Sequence, residues 1–226
     1  MNMAIRNTND AVSLVQVAEG ALGETTNSLQ RMRELAVQAN NATMTGADRE
    51  SLQKEVTQLM AELQRISSTT KFNNQDVLDG TFYNKDFQVG ANVGETINIS
   101  IASADTKALG LSTGTGAGNT LSIGSGAGNL AGTVAGNIGS AISKIDNALS
   151  SVSDIRADLG AVQNRFESLM ANLSNVSENT SAARSRIQDA DIAMETASLT
   201  KNAIMQQAGT AILAQANQQP QIALQL

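Results

Sequence analysis

The sequence predicts a mainly α-helical fold, an elongated antiparallel rod of long heptad-patterned helices carrying a small β-hairpin region. Three observations predict it. Apolar side chains recur in steps of three and four along both flanks of the chain. A single proline, Pro220, leaves room for helices of unusual length. Between the flanks the apolar period drops to two and then gives way to glycine, serine and threonine.

The first helix is expected over roughly residues 3 to 42, where Ile5, Val12, Val15, Leu22, Leu29 and Ala36 make a seven-residue seam. Gln30, Arg31, Arg33 and Glu34 leave a solvated face beside it, and Gly20 and Gly23 weaken its middle by about 1 kcal/mol each relative to alanine. Thr45 then offers a helix N-cap with Asp48 three residues on, the spacing at which hydroxyl and carboxylate satisfy orphan amides reciprocally. In the second helix Leu52, Val56, Leu59, Leu63 and Ile66 alternate steps of four and three, a seam packed on other helices.

From Lys71 to Asp105 the pattern is that of strands: Phe87 and Val89 flank Gln88, and Ile97, Ile99 and Ile101 alternate with Asn98 and Ser100. The intervening GANVGE supplies turn residues, so a small antiparallel hairpin is expected. Residues 110 to 132 read as a flexible or turn-rich connector. The third helix, from about 133 to 178, carries Ile138, Ile142, Ile145, Leu149, Val152, Leu159, Phe166, Met170 and Leu173 on one stripe. At 1.5 Å per residue it is about 65 to 70 Å long, more than a compact domain spans, hence the rod. The last segment, 187 to 218, is a lower-contrast helix of Ile187, Met194, Ala197, Ile204, Ala208 and Ile212. Its Ala-rich stripe needs a mate, from this chain as a fourth bundle helix or from another chain. The expected divisions are thus 1–70 for the amino-terminal helices, 71–132 for hairpin and connector, 133–183 for the return helix and 184–226 for the terminal amphipathic segment.

Composition narrows the chemistry. The chain has neither histidine nor cysteine, so imidazole bases, thiolate nucleophiles, zinc fingers and disulfides are excluded. A net charge of −6 disfavours nucleic acid and anionic membranes, which require a basic footprint, and no stretch has the apolar length of a membrane span. No cofactor is expected. The Gly-rich GTGAGN and GSGAGN complete no phosphate-binding spacing, and Asp189 and Asp191 lack the glycine and distal glutamate of a calcium loop. Asp154 with Asp158, and Glu55 with Glu62, lie on a solvated helix face with nothing to split their pKa values, and Met60 and Met170 are core filler. An enzyme is not expected.

Five blocks, NSLQRMRELAVQANN (27–41), KFNNQDVLDG (71–80), LGAVQNRFES (159–168), ARSRIQDADIAME (183–195) and QQAGTAILAQANQQPQ (206–221), resemble bacterial flagellin in the family's order. The resemblance implies a structural subunit of the flagellar filament with a minimal central region, cytoplasmic before export and then extracellular, serving swimming motility. Implied partners are other subunits in a homopolymer, hook-associated and cap proteins, and an export chaperone held by roughly 186–226 with Ile204, Ile212, Leu213 and Leu224 as apolar anchors. The family also opens with a further amino-terminal helix, so Met1 resembles a truncation, and the family continues slightly past Leu226. Many flagellins are recognised by Toll-like receptor 5 of hosts, which in this sequence places recognition on Gln30, Arg31, Leu35 and Glu55. There Arg31 and Glu55 would be solvated charges on neighbouring helices around a Leu35 contact. Two rival readings are a hook-filament junction protein, which would lack the QQAGTAILAQANQQPQ ending, and a surface protein binding a polysaccharide, for which only Tyr83 offers a phenol platform.

Overall fold

The computed structural model describes residues 1–112, 121–124, 134–189 and 192–223. The chain forms two units, Met1–Val176 and Ser177–Leu226. Among the described residues four helices and two small strand pairs follow in order: α1 (Asn2–Ala39), α2 (Gly46–Thr69), β1 (Lys71–Phe72), β2 (Gln75–Asp76), β3 (Lys85–Gln88), β4 (Thr96–Ile99), α3 (Val134–Gln188) and α4 (Ile192–Ala223). This is the mainly helical class with a small antiparallel β element that the sequence predicts.

In α1 the buried positions include Ala4, Thr8, Ala11, Val15, Ala18, Leu22, Thr25, Leu29, Met32, Ala36 and Ala39, an unbroken alternation of four and three. Such a stripe keeps one seam facing its neighbours for the full length of the helix. The two buried threonines are satisfied within the helix, Thr8 donating to the Ala4 carbonyl at 2.8 Å and Thr25 to that of Ala21 at 3.0 Å. Small side chains therefore occupy much of the seam without leaving a buried polar group unpaired.

The α2 helix starts at the expected place and by the expected chemistry. The Asp48 amide donates to the Thr45 hydroxyl at 3.2 Å, and the Thr45 amide donates to the Asp48 carboxylate at 3.0 Å, a complete capping box. Its buried side chains are Val56, Met60, Leu63, Ile66 and Ser67, and Ser67 donates to the Leu78 carbonyl at 2.9 Å, tying the following loop to the helix. The α3 helix extends to Gln188, ten residues beyond the expected end near 178. Within the first unit it buries Ile138, Ala141, Ile145, Ala148, Val152, Leu159, Phe166 and Leu173. Arg33 meets Asp146 at 2.7 Å and Glu19 meets Arg156 at 3.6 Å. Lower numbers on α1 thus oppose higher numbers on α3, the antiparallel pairing that the return helix requires.

The β1–β2 pair is a two-residue hairpin whose tip, Asn73 and Asn74, takes φ values of 49° and 62°. Asparagine tolerates this left-handed region, and positive φ at both central residues matches the twist of the flanking strands. The β3–β4 pair is antiparallel with Phe87 opposite Ile97 and Lys85 opposite Ile99. Ile97 and Ile99 are buried, so alternation again points one face inward. Phe87 packs edge-on to Phe166 of α3, with ring centroids 6.4 Å apart and planes at 76°. The hairpin is thereby fixed to the helices by an aromatic contact.

Of the flexible or turn-rich connector expected over 110–132, residues 113–120 and 125–132 lie outside the described residues. Leu111, Leu121 and Ile123 are buried at 0%, 2% and 1% exposure, as deep as any helix position. Their apolar character is the reason: three large aliphatic side chains in a run of glycine and serine gain more by covering the core than by staying solvated.

Replacing Phe166 by alanine removes the side chain on which β3 rests, and should destabilise the fold by about 3 to 5 kcal/mol in urea unfolding. Acid should act through the turns and caps. Hydrogen bonds from the Thr45 side chain and backbone hold the Asp48 carboxyl below its usual value, and bonds from the Asn92 backbone and side chain do so for Glu95. A lowered folded-state pKa contributes stability above the unfolded value, which is lost as pH falls through the folded one. The melting temperature should therefore drop below about pH 4, and Asp48→Asn should make that drop shallower.

Candidate functional site: the α1–α2 face and the α4 helix

The α1–α2 face is assembled from the seam outward. Once the alternating positions of α1 turn inward, Gln30, Arg31, Arg33, Glu34, Val37 and Gln38 are left on the outside. The Arg31 guanidinium reaches across to α2, with Nε donating to Glu55 Oε1 at 2.9 Å and Nη2 at 2.8 Å from the same oxygen. Nη1 donates to Glu34 Oε2 at 3.1 Å. One cation thus joins two carboxylates from two helices, and its pKa is raised by Glu55 foremost and then by Glu34. Arg33, two residues on, is likewise raised by its bond to Asp146. Gln30, Arg33, Glu34, Val37 and Gln38 line a shallow groove of about 540 Å³ beside this pair.

Three of the four positions expected to share a face do so: Gln30 and Arg31 are exposed, and Glu55 is bonded to Arg31. The two charges are solvent-exposed and joined as a single bridged pair. Leu35 departs from the expectation. It is only 1% exposed and belongs to the core, because position 35 falls on the inward side of α1. The apolar side chain that this surface does present is Val37, 51% exposed, which the sequence reading passed over. Its signal was available, since Val37 stands one residue off the alternating seam.

The α4 helix presents a different surface. Leu199, Ile204, Met205, Ile212 and Leu213 are all between 58% and 67% exposed. At 100° per residue Met194, Ala197, Ile204, Ala208 and Ile212 share the face expected of them while Leu199 and Leu213 lie off it, and Ile187 belongs to the end of α3 rather than to this helix, which begins at Ile192. Of the expected anchors, Ile204, Ile212 and Leu213 lie on this exposed surface, and Leu224 is outside the described residues. No helix among the described residues is long and apolar enough to cross a membrane.

Acid–base chemistry finds little to use here. Glu62 is clasped by Arg65 at 2.5 Å, which lowers its pKa, so it is not poised as a proton donor, and Glu55 is bonded to Arg31. Asp189 accepts from the Ser185 hydroxyl at the end of α3, a terminus-binding role rather than a metal ligand's, and Asp191 is outside the described residues. Among the described residues no group of three His, Cys, Asp or Glu could hold a metal ion.

Comparison with known proteins decides the family. Residues 1–83 match the bacterial flagellin N-terminal helical region and residues 142–226 the bacterial flagellin C-terminal helical region. The chain belongs to the bacterial flagellin family. It is 46% identical over 226 residues to the flagellin of Halalkalibacterium halodurans, covering 100% of this chain and 78% of that one. It is 43% identical to the flagellin of Bacillus subtilis strain 168, covering 100% of this chain and 80% of the relative. The crystal structure of Bacillus cereus flagellin superposes with a TM-score of 0.57 at 32% identity, over 79% of this chain and 94% of that one. A putative flagellar hook-associated protein from Vibrio parahaemolyticus shares the fold, with a TM-score of 0.65 at 13% identity over 80% of this chain and 88% of that one. Flagellins are structural subunits that assemble with one another into the extracellular flagellar filament, and the present flagellin carries the helical regions of both ends of that subunit.

The Arg31–Glu55 pair is solvent-exposed on both sides, and exposed pairs contribute little to stability. Glu55→Gln should therefore leave helix content and melting temperature nearly unchanged in circular dichroism, which makes the position suitable for testing recognition separately from folding.

Proposed function

We propose that this flagellin is exported by the flagellar secretion system, polymerises through α4 and the long helices of its first unit, and serves swimming motility. The observation that carries the reading is the exposure of large aliphatic side chains along α4, in contrast to the buried apolar seams of α1, α2 and α3 in the first unit. Exposed aliphatic side chains on a helix gain from neighbours that cover them, and subunits of a polymer are such neighbours. Before export the same side chains are an aggregation hazard, so an export chaperone takes residues 186–226, with Ile204, Ile212, Leu213 and Leu224 as anchors. Binding of an amphipathic segment in a partner's groove through spaced aliphatic anchors is the physical mode.

Expression in a strain lacking its own flagellin, with any upstream coding segment restored, tests the polymer reading. Electron microscopy should show long filaments, and Ile204→Asp with Ile212→Asp should abolish them while the first unit keeps its helix content. Surface protein without filaments in the unaltered chain would instead favour a junction or ligand-binding role. Truncation after residue 186 should eliminate chaperone binding in calorimetry; undiminished affinity would move that contact elsewhere.

A second reading concerns the host. Recognition by Toll-like receptor 5 falls on Gln30, Arg31 and Glu55, with Leu35 acting from beneath by setting the position of α1. The bridged pair supports it: two charged groups already held in place lose less side-chain freedom on binding than two free ones. Arg31→Ala should reduce reporter-cell activation at least tenfold without lowering the melting temperature, and unchanged activation would remove the assignment.

A further inference from the structure

On α2, one glutamine side chain does for a passing segment what a neighbouring strand would do. Gln53 Nε2 donates to the Leu121 carbonyl at 3.1 Å, while Oε1 accepts from the amides of Ile123 at 2.6 Å and Gly124 at 3.1 Å. The carboxamide is aligned by Thr57, whose hydroxyl donates to the Gln53 carbonyl at 2.8 Å and lies 3.4 Å from Nε2. From the other side the Leu121 amide donates to the Leu111 carbonyl at 3.1 Å. Backbone groups that in a sheet would pair with a strand are here satisfied by a side chain.

The side chains follow the period of an extended segment. Leu121 and Ile123 are buried at 2% and 1% exposure, with Ser122 between them half-buried. Gly124 sits where a Cβ would come within 3.2 Å of the Gln53 Cβ, so a side chain there would press on the residue that holds the segment. Two apolar sockets, one two-sided carboxamide and one position where a Cβ would be tight against Gln53 amount to a recognition pattern of Leu-X-Ile-Gly.

The segment is also set apart in the chain. The sequences leading into and out of it, TGTGAGNT and SGAGNLAGT, carry Leu130 as their one apolar side chain larger than alanine. Among the described residues its backbone is fastened by one side chain and one carbonyl, whereas each helix is fastened by its own ladder. Elements with few such ties open at lower free energy than the core they cover. Covalent connection at both ends makes reclosure in cis an intramolecular event, which wins over capture of a dilute peptide.

We infer that the α2 surface around Gln53 is a binding slot for an extended Leu-X-Ile-Gly peptide, filled in cis by residues 121–124, and that this strap opens and recloses while α1, α2 and α3 stay folded. The slot is distinct from the Arg31–Glu55 face and from α4, and neither the polymer nor the receptor reading depends on it.

A synthetic fluorescent peptide of residues 119–126, NTLSIGSG, is the probe. Leu121→Ser with Ile123→Ser in the full chain empties the sockets; this variant should keep its helix content and bind the peptide saturably in anisotropy titrations, at least tenfold more tightly than the unaltered chain does. Adding Gln53→Ala should weaken that binding at least tenfold. Absent saturation, binding indifferent to Gln53, or collapse of the helices when the sockets are emptied would each overturn the inference. Hydrogen exchange on the unaltered chain gives an independent reading: the Ile123 and Gly124 amides should exchange at least tenfold faster than those of buried α2 residues. Equal rates would mean that the strap opens only with the helices, and would overturn it as well.

Discussion

The alternating seam of α1 is the constraint on which the first unit depends. A step of four and then three, repeated from Ala4 to Ala39, holds the same side of the helix toward the core over its whole length. Alanine and threonine fill many of these positions, so neighbouring helices can approach closely, and the threonine hydroxyls cost nothing in unpaired polar groups because each bonds back to its own helix. With the seam fixed, α3 can only return antiparallel, its own stripe facing inward and Asp146 and Arg156 falling beside Arg33 and Glu19. Phe166 then offers the surface on which Phe87 and its hairpin rest.

The same constraint decides what the outer face can be. With Leu29, Met32, Leu35 and Ala36 turned inward, the residues between them are committed to solvent and can hold ion pairs across helices. Arg31 joining Glu55 and Glu34 is therefore a product of the seam as much as of its own charge. The α4 helix obeys no such division. Its aliphatic side chains are exposed on more than one side, a state that water penalises. This flagellin thus combines a first unit whose apolar seams are buried with a terminal helix whose aliphatic side chains are exposed.

Most helix positions were legible because periodicity is a local property: a residue's place in the alternation is set by the residues three and four away. The Thr45–Asp48 cap was legible for the same reason, as its two partners are three residues apart. What escaped the sequence was non-local. Leu35 looks like a surface contact within its block, and only the direction of the α1 seam places it in the core. Leu121 and Ile123 look like strays in a linker, and only the nearness of α2 gives them sockets and gives their backbone the Gln53 carboxamide.

The sequence by itself determined the class, the long helices, the absence of imidazole and thiol chemistry, and the family, since each rests on composition, spacing or blocks of adjacent residues. The tertiary structure decided which charges pair, which leucine is hidden and where the Gly-rich region touches the helices. Those outcomes join residues 24 positions apart in Arg31 and Glu55, and 70 apart in Gln53 and Ile123. Contacts of that range are fixed by how whole helices pack, and no local pattern in the chain records them.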